Sequence, residues 1–446
     1  MTSDAFVFPV IRPLVARHAQ DAAFYWSQTD TLVHSPQVTL ARLAHFQRLL
    51  ACHLGGLRSA GAPGWDEAFK ALERWRQAGE AFVCTALALE SGDPGQSAQL
   101  LAAVAEQPAQ LLRGVISALV AAPDEVARAT IRRWSAGDAG AAATVAALRA
   151  LALLPARGGT AALALPLADY LASPGAPVRA AAARVAAACG ADADAALALA
   201  MSDPALAVRA EAAIALGRGH PGAIATLAAC VAQQGQVLAQ ATGWDSKQAA
   251  RRLGRYVRQL ACMLAPGDPQ VPALLAALPA RQAVQFILWH GDGAWLPALV
   301  EPMTDPEVQR YAGWAWQTLS GIDLEASALA LPEDEAGALD QDERITEARL
   351  DADNGLVLPD AEGARAVMAN LPLTAWSGQA TLMGRVLSLT HALALLEAAP
   401  QAVRALAASW LNRNADLGGA RLDVRASAAL QRQAMQAVAQ RARSAA

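Results

Sequence analysis

Apolar residues recur along this chain at helical spacing, interrupted by short breaks rich in proline, glycine and aspartate. Leu40, Leu43, Phe46, Leu50, Leu54 and Leu57 form one such stripe, ended by Gly61-Ala62-Pro63-Gly64. A second helix follows, with Trp65, Phe69 and Leu72 on one side and Gly79 as its expected stop. Glu80 opens a third, whose Phe82, Ala86 and Leu89 point one way. This is the spacing of helices with one buried face. No stretch sustains the alternation of a half-buried strand, and the predicted fold class is all-α.

Between about residues 81 and 320 the pattern repeats. The clearest copy is Asp203-Pro204-Ala205-Leu206-Ala207-Val208-Arg209, running on to Leu216-Gly217; thirty residues upstream stands Pro177-Val178-Arg179, closed by Gly190. Looser copies begin at Pro123, at Asp305-Pro306 and at Pro400-Gln401-Ala402-Val403-Arg404. Each part has a local reason. An N-cap aspartate accepts hydrogen bonds from free backbone N–H groups, worth about 1 kcal/mol against alanine. Proline in the first turn loses no hydrogen bond, and Gly217 permits a left-handed ending. Val208, Ala212, Ala215 and Leu216 share one helical face, and the alanines allow close helix packing. Arg209 sits beside that stripe, from where its head reaches an upstream carboxylate or carbonyl, so these arginines read as joints between repeats. A repeat of this kind predicts an α-solenoid of short HEAT-like helix pairs. It is expected over 81–320, after an N-terminal helical region (1–80) and before an acidic loop or linker (321–360) and a C-terminal helical region (361–446).

Charge changes the picture in one place. The net charge is −4, which gives the whole molecule no electrostatic attraction to DNA or membranes. Eleven carboxylates lie between 323 and 353 (Asp323, Glu325, Glu333, Asp334, Glu335, Asp340, Asp342, Glu343, Glu347, Asp351, Asp353), a density typical of a solvated loop. Outside that block 34 basic residues face 29 acidic ones, and all basic residues but Lys70 and Lys247 are arginine. The five cysteines show no C-x-x-C pairing, which fits reduced thiols in a cytoplasmic protein rather than a zinc site. Asp4, Pro9 and Pro13 make a poor signal peptide. The longest uncharged run, 219–244, holds four glutamines in its middle, so no membrane span is expected.

Candidate chemistry is sparse. There is no G-x-S-x-G, H-E-x-x-H, Walker A or dinucleotide glycine fingerprint, so no catalytic, cofactor or metal site is expected. His45 and His53, eight apart on one helix, could share a face but lack a third ligand. The sharpest local feature is a basic strip, Lys247, Arg251, Arg255 and Arg258, opposite an apolar stripe of Leu253, Val257, Leu260 and Leu264. It reads as a solvated outer face, or as a docking strip for an acidic partner or for the chain's own acidic block. In the helix after Asp305, Val308, Ala312, Ala315 and Leu319 form the core stripe, and Trp314 points away beside Arg310 and Tyr311. If uncovered, that cluster has the composition of a protein-binding hot spot. Trp289-His290 and Trp295 flank a Gly291-Asp292-Gly293 turn.

Several segments carry a resemblance across nearly the full chain: Phe24-Tyr25-Trp26-Ser27, the helix running to Leu54-Gly55-Gly56-Leu57-Arg58, Gly64-Trp65, Gly79-Glu80-Ala81-Phe82, and Ser320-Gly321-Ile322-Asp323-Leu324 with the acidic residues after it. The repeats are similar to those of bacterial phycobilin-lyase-type proteins, and the whole pattern resembles a proteobacterial family of HEAT-like proteins often encoded beside type VI secretion spike and effector genes. The resemblance implies a non-enzymatic adaptor in effector loading, its partner another protein such as an effector or spike component, or alternatively an immunity protein. It transfers no catalytic residues. A HEAT-fold nucleic-acid enzyme such as a DNA glycosylase would instead need a basic face gathering tryptophans and a carboxylate.

Overall fold

In the computed structural model, which describes residues 10–154, 159–190, 192–332, 353, 355–417 and 421–445, the stripe over 40–57 lies on a helix, α2 (Leu40–Ala60). Leu40, Leu43, Leu50, Leu54 and Leu57 are buried there and Phe46 is half-buried. Apart from two antiparallel pairs of two-residue strands, the regular structure among the described residues is helical. The chain divides into two compact units, one of Met1–Ala215 with Leu393–Ala446 and one of Leu216–Ala392. The composition breaks near 80, 320 and 360 fall inside these units, not between them.

The first unit opens with α1 (Arg12–Leu32), α2, α3 (Ala62–Trp75) and α4 (Ala78–Ser91). Gly79 does not stop the second predicted helix. That helix, α3, ends at Arg76 in left-handed backbone (φ 49°), whose N–H returns to Leu72 O. Gly79 lies instead in the first turn of α4, where a Cβ would stand 2.7 Å from the carbonyl oxygen of Ala23 on α1. The residue is needed for close approach, not termination. Further along come α5 (Pro94–Glu106), α6 (Pro108–Ala121), α7 (Asp124–Ser135), α8 (Gly140–Leu151), α9 (Leu167–Leu171), α10 (Ala176–Cys189), α11 (Asp194–Ala200) and α12 (Leu206–Leu216). Asp93 caps α5 through Oδ1, which accepts from the N–H of Gly95 at 2.7 Å, with Pro94 opening the helix. Alternate helices lie side by side: α4 packs on α6, α6 on α8 and α8 on α10. Their facing positions are small. Ala143, Ala146, Ala147, Ala182 and Ala183 are fully buried, and a Cβ on Gly114 of α6 would overlap the backbone carbonyl of Ala78.

The two clearest valine–arginine copies share the same turn contacts. Arg179 Nη1 donates to the carbonyls of Ser173 and Pro174 at 2.8 and 2.9 Å. Thirty residues on, Arg209 Nη1 donates to those of Asp203 and Pro204 at 2.7 and 3.0 Å. Arg179 also grips Asp203 of the following copy with Nε and Nη2, at 2.8 and 3.0 Å. That grip is the main reason the Asp203 carboxyl sits below its ordinary range, with burial opposing. The helical face differs from the expected one in one respect. Val208 and Ala212 are buried but Ala215 and Leu216 are half-buried, and Glu211 takes a core position, paired to Arg184 at 2.6 Å.

The last helices of this unit are the end of a helix spanning Leu389–Ala398, then Gln401–Asn414 and Ala428–Ala445. They return to the unit's beginning. The N–H groups of Gln401 and Ala402 donate to Val38 and Ser35 carbonyls at 2.8 and 3.0 Å, and Gln47 Oε1 accepts from the N–H of Ala428 at 2.9 Å. The free N–H groups of a helix start are thereby satisfied from a loop almost the whole sequence away.

The second unit contains α13 (Ala223–Gln240), α14 (Gly243–Met263), α15 (Val271–Ala277), α16 (Ala280–His290) and α17 (Gln309–Ser320), followed by α18 (Ala361–Met368) and α19 (Leu373–Trp376). No described helix is long and apolar enough to cross a membrane. The Gly291-Asp292-Gly293 turn is its structural hub. Asp292 is 1% exposed, and its carboxylate accepts three backbone N–H groups: Gly267 at 2.7 Å, Ala294 at 2.9 Å and Gly378 at 3.0 Å. Thr381 adds its N–H and hydroxyl to Gly291 O, and Thr381–Leu382 pairs with Arg385–Val386 as a short ladder. The turn is therefore a junction of three segments, held by hydrogen bonds to a charged acceptor. A second ladder pairs Ala330–Leu331 with Leu358–Pro359 and holds together the two ends of the acidic segment.

Two glycines separate close approach from simple helix occupancy. Gly114→Ala should destabilise the chain by about 3 kcal/mol, because backbone must move to admit the methyl group. Gly55, in the interior of α2, has nothing within 4 Å of its would-be Cβ. Gly55→Ala should therefore stabilise by about 0.5–1 kcal/mol through reduced unfolded-state freedom. Denaturant titration of both variants measures the difference, and equal effects would contradict the packing described.

Candidate functional site

The apolar stripe of α14 is fully buried: Leu253, Val257 and Leu260 are 0% exposed, and Leu264, just past the helix end, 3%. That orientation directs the strip outward. Lys247 and Arg251 are exposed, whereas Arg255 and Arg258, nearer the C-terminal end, are half-buried. Helix α14 packs on α16 and α16 on α17, which brings the Arg258 end of the strip toward the Trp314 neighbourhood. The Arg258 guanidinium lies 5.0 Å from the centre of the Trp289 ring on α16. Arg281, also on α16, lies 4.7 Å above Tyr311 of α17, whose ring stacks on Trp314 at 5.7 Å. Arg310 Nη1 donates to the carbonyl of Leu356. Trp314 remains half-buried, while Val308, Ala312, Ala315, Trp316 and Leu319 beneath it are core.

Arg281 and Trp289 bridge these patches, and the pattern of charged positions on α14 alone gave no sign of Arg281. Its second partner comes from the acidic block. Asp353, 6% exposed, accepts from both Arg281 terminal nitrogens at 2.7 and 2.6 Å. The block's carboxylates from Glu333 to Asp351, and with them the expected meeting of block and strip, lie outside the described residues. Burial pushes the Tyr311 hydroxyl up to about 12, with Arg281 opposing and Asp353 reinforcing the shift. Tyr311 is thus a neutral phenol at physiological pH. The face offers flat aromatic rings and guanidinium groups fixed by cation–π and bidentate contacts, which suits recognition more than proton transfer.

No family model matches this chain, and neither does any curated protein or solved structure.

Two other groupings are visible only in three dimensions. An open groove of 440 Å³ is lined by Trp65, Asp66, Phe69, Lys70, Asp93 and Gln99 among others. The Trp65 indole N–H donates to Gln99 Oε1 at 3.2 Å across it. The second grouping corrects a pairing. His53 does not share its site with His45, which is exposed and lies against Phe46. Its partner is His18 of α1, with the two Nδ1 atoms 3.0 Å apart, Tyr25 stacked on the His53 ring, and Asp21 at 3.8 Å. Gly56 makes room for this pair, since a Cβ there would stand 2.8 Å from the His18 ring. Among the described residues no three His, Cys, Asp or Glu side chains are grouped to hold a metal ion.

Burial holds His53 below its ordinary value of 6.5, Asp21 opposing and His18 and Arg17 adding to the shift. The folded chain thus favours the neutral ring, and the unfolded chain binds more protons in mild acid. The stability this contributes is complete above about pH 6.5 and is lost as pH falls through the lower folded value. The thermal stability of the wild type should fall more steeply as pH drops below about 6.5 than that of a His53→Gln variant. Parallel curves would contradict the pairing.

Proposed function

We propose that this chain is a non-enzymatic, protein-binding scaffold, an α-solenoid of short HEAT-like helix pairs. In this reading it serves as a cytoplasmic adaptor in loading an effector or spike component of a type VI secretion system. The observation that carries the binding role is the face shared by α14, α16 and α17, where Arg258, Arg281, Tyr311 and Trp314 are pre-ordered on buried apolar stripes. Tryptophan, tyrosine and arginine dominate the energetics of protein interfaces because they bury large area at low conformational cost. The solenoid reading is supported by the side-by-side order of α4, α6, α8 and α10 and by the identical turn contacts of Arg179 and Arg209. The secretion role rests on the sequence resemblance, and partner identification decides it.

The same face bears on the nucleic-acid alternative, since it gathers arginines, two tryptophans and a carboxylate. Asp353 is held bidentately by Arg281, however, and a carboxylate so engaged is a weak base and nucleophile. Protein binding is the reading the geometry favours.

Affinity purification of the full chain from cells expressing the neighbouring gene cluster tests the proposal. An effector or spike component should co-purify. Trp314→Ala combined with Arg258→Glu should reduce its retention about tenfold or more, the range of a hot-spot loss. Full retention by the double variant would move the site elsewhere, and recovery of no such component would overturn the adaptor role. Submicromolar binding of the chain to duplex DNA at physiological salt would favour the alternative.

A further inference from the structure

The open groove of 440 Å³ between α3 and the start of α5 belongs to the first unit and takes no part in the α14–α16–α17 face. Its volume falls in the range of ligand sites, about 300–1,000 Å³. One wall is aromatic. Trp65 and Phe69, four residues apart on α3, stack with ring centres 5.5 Å apart and planes 21° from parallel. Near-parallel planes make a layered wall, not a box of rings facing one another. The wall is held in place by the Trp65 indole N–H, which donates to Gln99 Oε1 of α5 at 3.2 Å.

Charge on the rim is unbalanced. Lys70, the cation of the lining, is held by Glu67 at 2.9 Å, and Arg12 shares that carboxylate at 3.2 Å. Two carboxylates are left over. Asp66 has only Arg12 Nη2 at 3.8 Å, with both side chains about half open to water. Asp93 spends Oδ1 on the N–H groups of Gly95 and Gln96, and its Oδ2 accepts nothing from the described residues. This cap also answers the positive end of α5, so the helix start does not call for an anion. A ligand that matches the groove is therefore a cation with a flat face. We propose that the groove holds an arginine side chain of a partner protein. Its guanidinium layers on Phe69 and Trp65, and its N–H groups donate to Asp66 and Asp93. Guanidinium suits this wall better than ammonium, because it is planar, less strongly hydrated, stacks on aromatic rings and forks two hydrogen bonds to a carboxylate. The contact adds a second site to the protein-binding reading, and its chemistry is the reverse of the arginine-bearing α14–α16–α17 face.

Binding of a blocked Ala-Arg-Ala peptide to the full chain, followed by peptide-observed NMR, tests the site without any secretion partner. The same peptide with lysine or citrulline in place of arginine serves as the comparison. The arginine peptide should bind about tenfold more tightly than either, and more weakly as salt is added. This preference is read on the wild type and depends on no variant folding. Asp66→Asn combined with Asp93→Asn removes both charges, while asparagine keeps the cap of α5. The double variant should bind the arginine peptide about tenfold less tightly or worse. Phe69→Leu keeps apolar volume without the flat ring and should erase the preference for arginine over lysine. Absence of binding by the arginine peptide, equal binding of the lysine or citrulline peptide, or undiminished binding by the double variant would each overturn the proposal.

Discussion

Backbone touching backbone at helix crossings is the constraint on which the rest of this structure depends. At Gly64, Gly79 and Gly114 the place of a side chain is taken by carbonyl oxygens of Leu57, Ala23 and Ala78 from neighbouring helices. The fully buried alanines of α8 and α10 continue the same regime. Helices this close gain dispersion contacts along their whole facing surfaces but have few large side chains to interlock. Something else must then fix how one helix pair sits against the next. Between α10 and the turn that precedes α12, Arg179 does this, because a guanidinium that reaches two carbonyls and the Asp203 carboxylate accepts few alternative positions. Small residues and arginine joints are therefore two halves of one packing solution.

The second unit solves the problem differently. Beyond α13 and α14, its strand pairs and the short helices α15, α18 and α19 offer less regular contact surface, and hydrogen bonds to one buried carboxylate supplement it. Asp292 draws together the ends of three segments in the unit where α14 packs on α16 and α16 on α17. There the outward side chains lie in a fixed arrangement, with Arg258 on Trp289 and Arg281 between Tyr311 and Asp353. Fixed arginine and aromatic groups lose little conformational freedom on meeting a partner, which is the physical reason this face suits recognition.

The helices and their apolar stripes were legible in the sequence because period and capping are local properties. The stripes of α2, α14 and α17 are buried nearly as their spacing predicts. What depends on long-range contact was not legible. Gly79 looked like a helix stop, since a glycine needed for a crossing and one needed for a left-handed turn are the same letter. His53 was matched to His45 by spacing, whereas its partner comes from another helix. Spacing alone leaves the strip and the Trp314 cluster separate, because Arg281 and Trp289, which lie between Arg258 and Tyr311, sit on a helix without a charge pattern of its own. The return of the last helices to the loop at 35–38 leaves no trace in periodicity at all.

The central claim, that the α14–α16–α17 face is the surface that meets a protein partner, is tested most directly by hydrogen–deuterium exchange of the chain alone and in complex with the protein it captures. Protection on binding should concentrate in 243–263, 280–290 and 309–320. Protection confined to the first unit, with those three segments unchanged, would contradict the account.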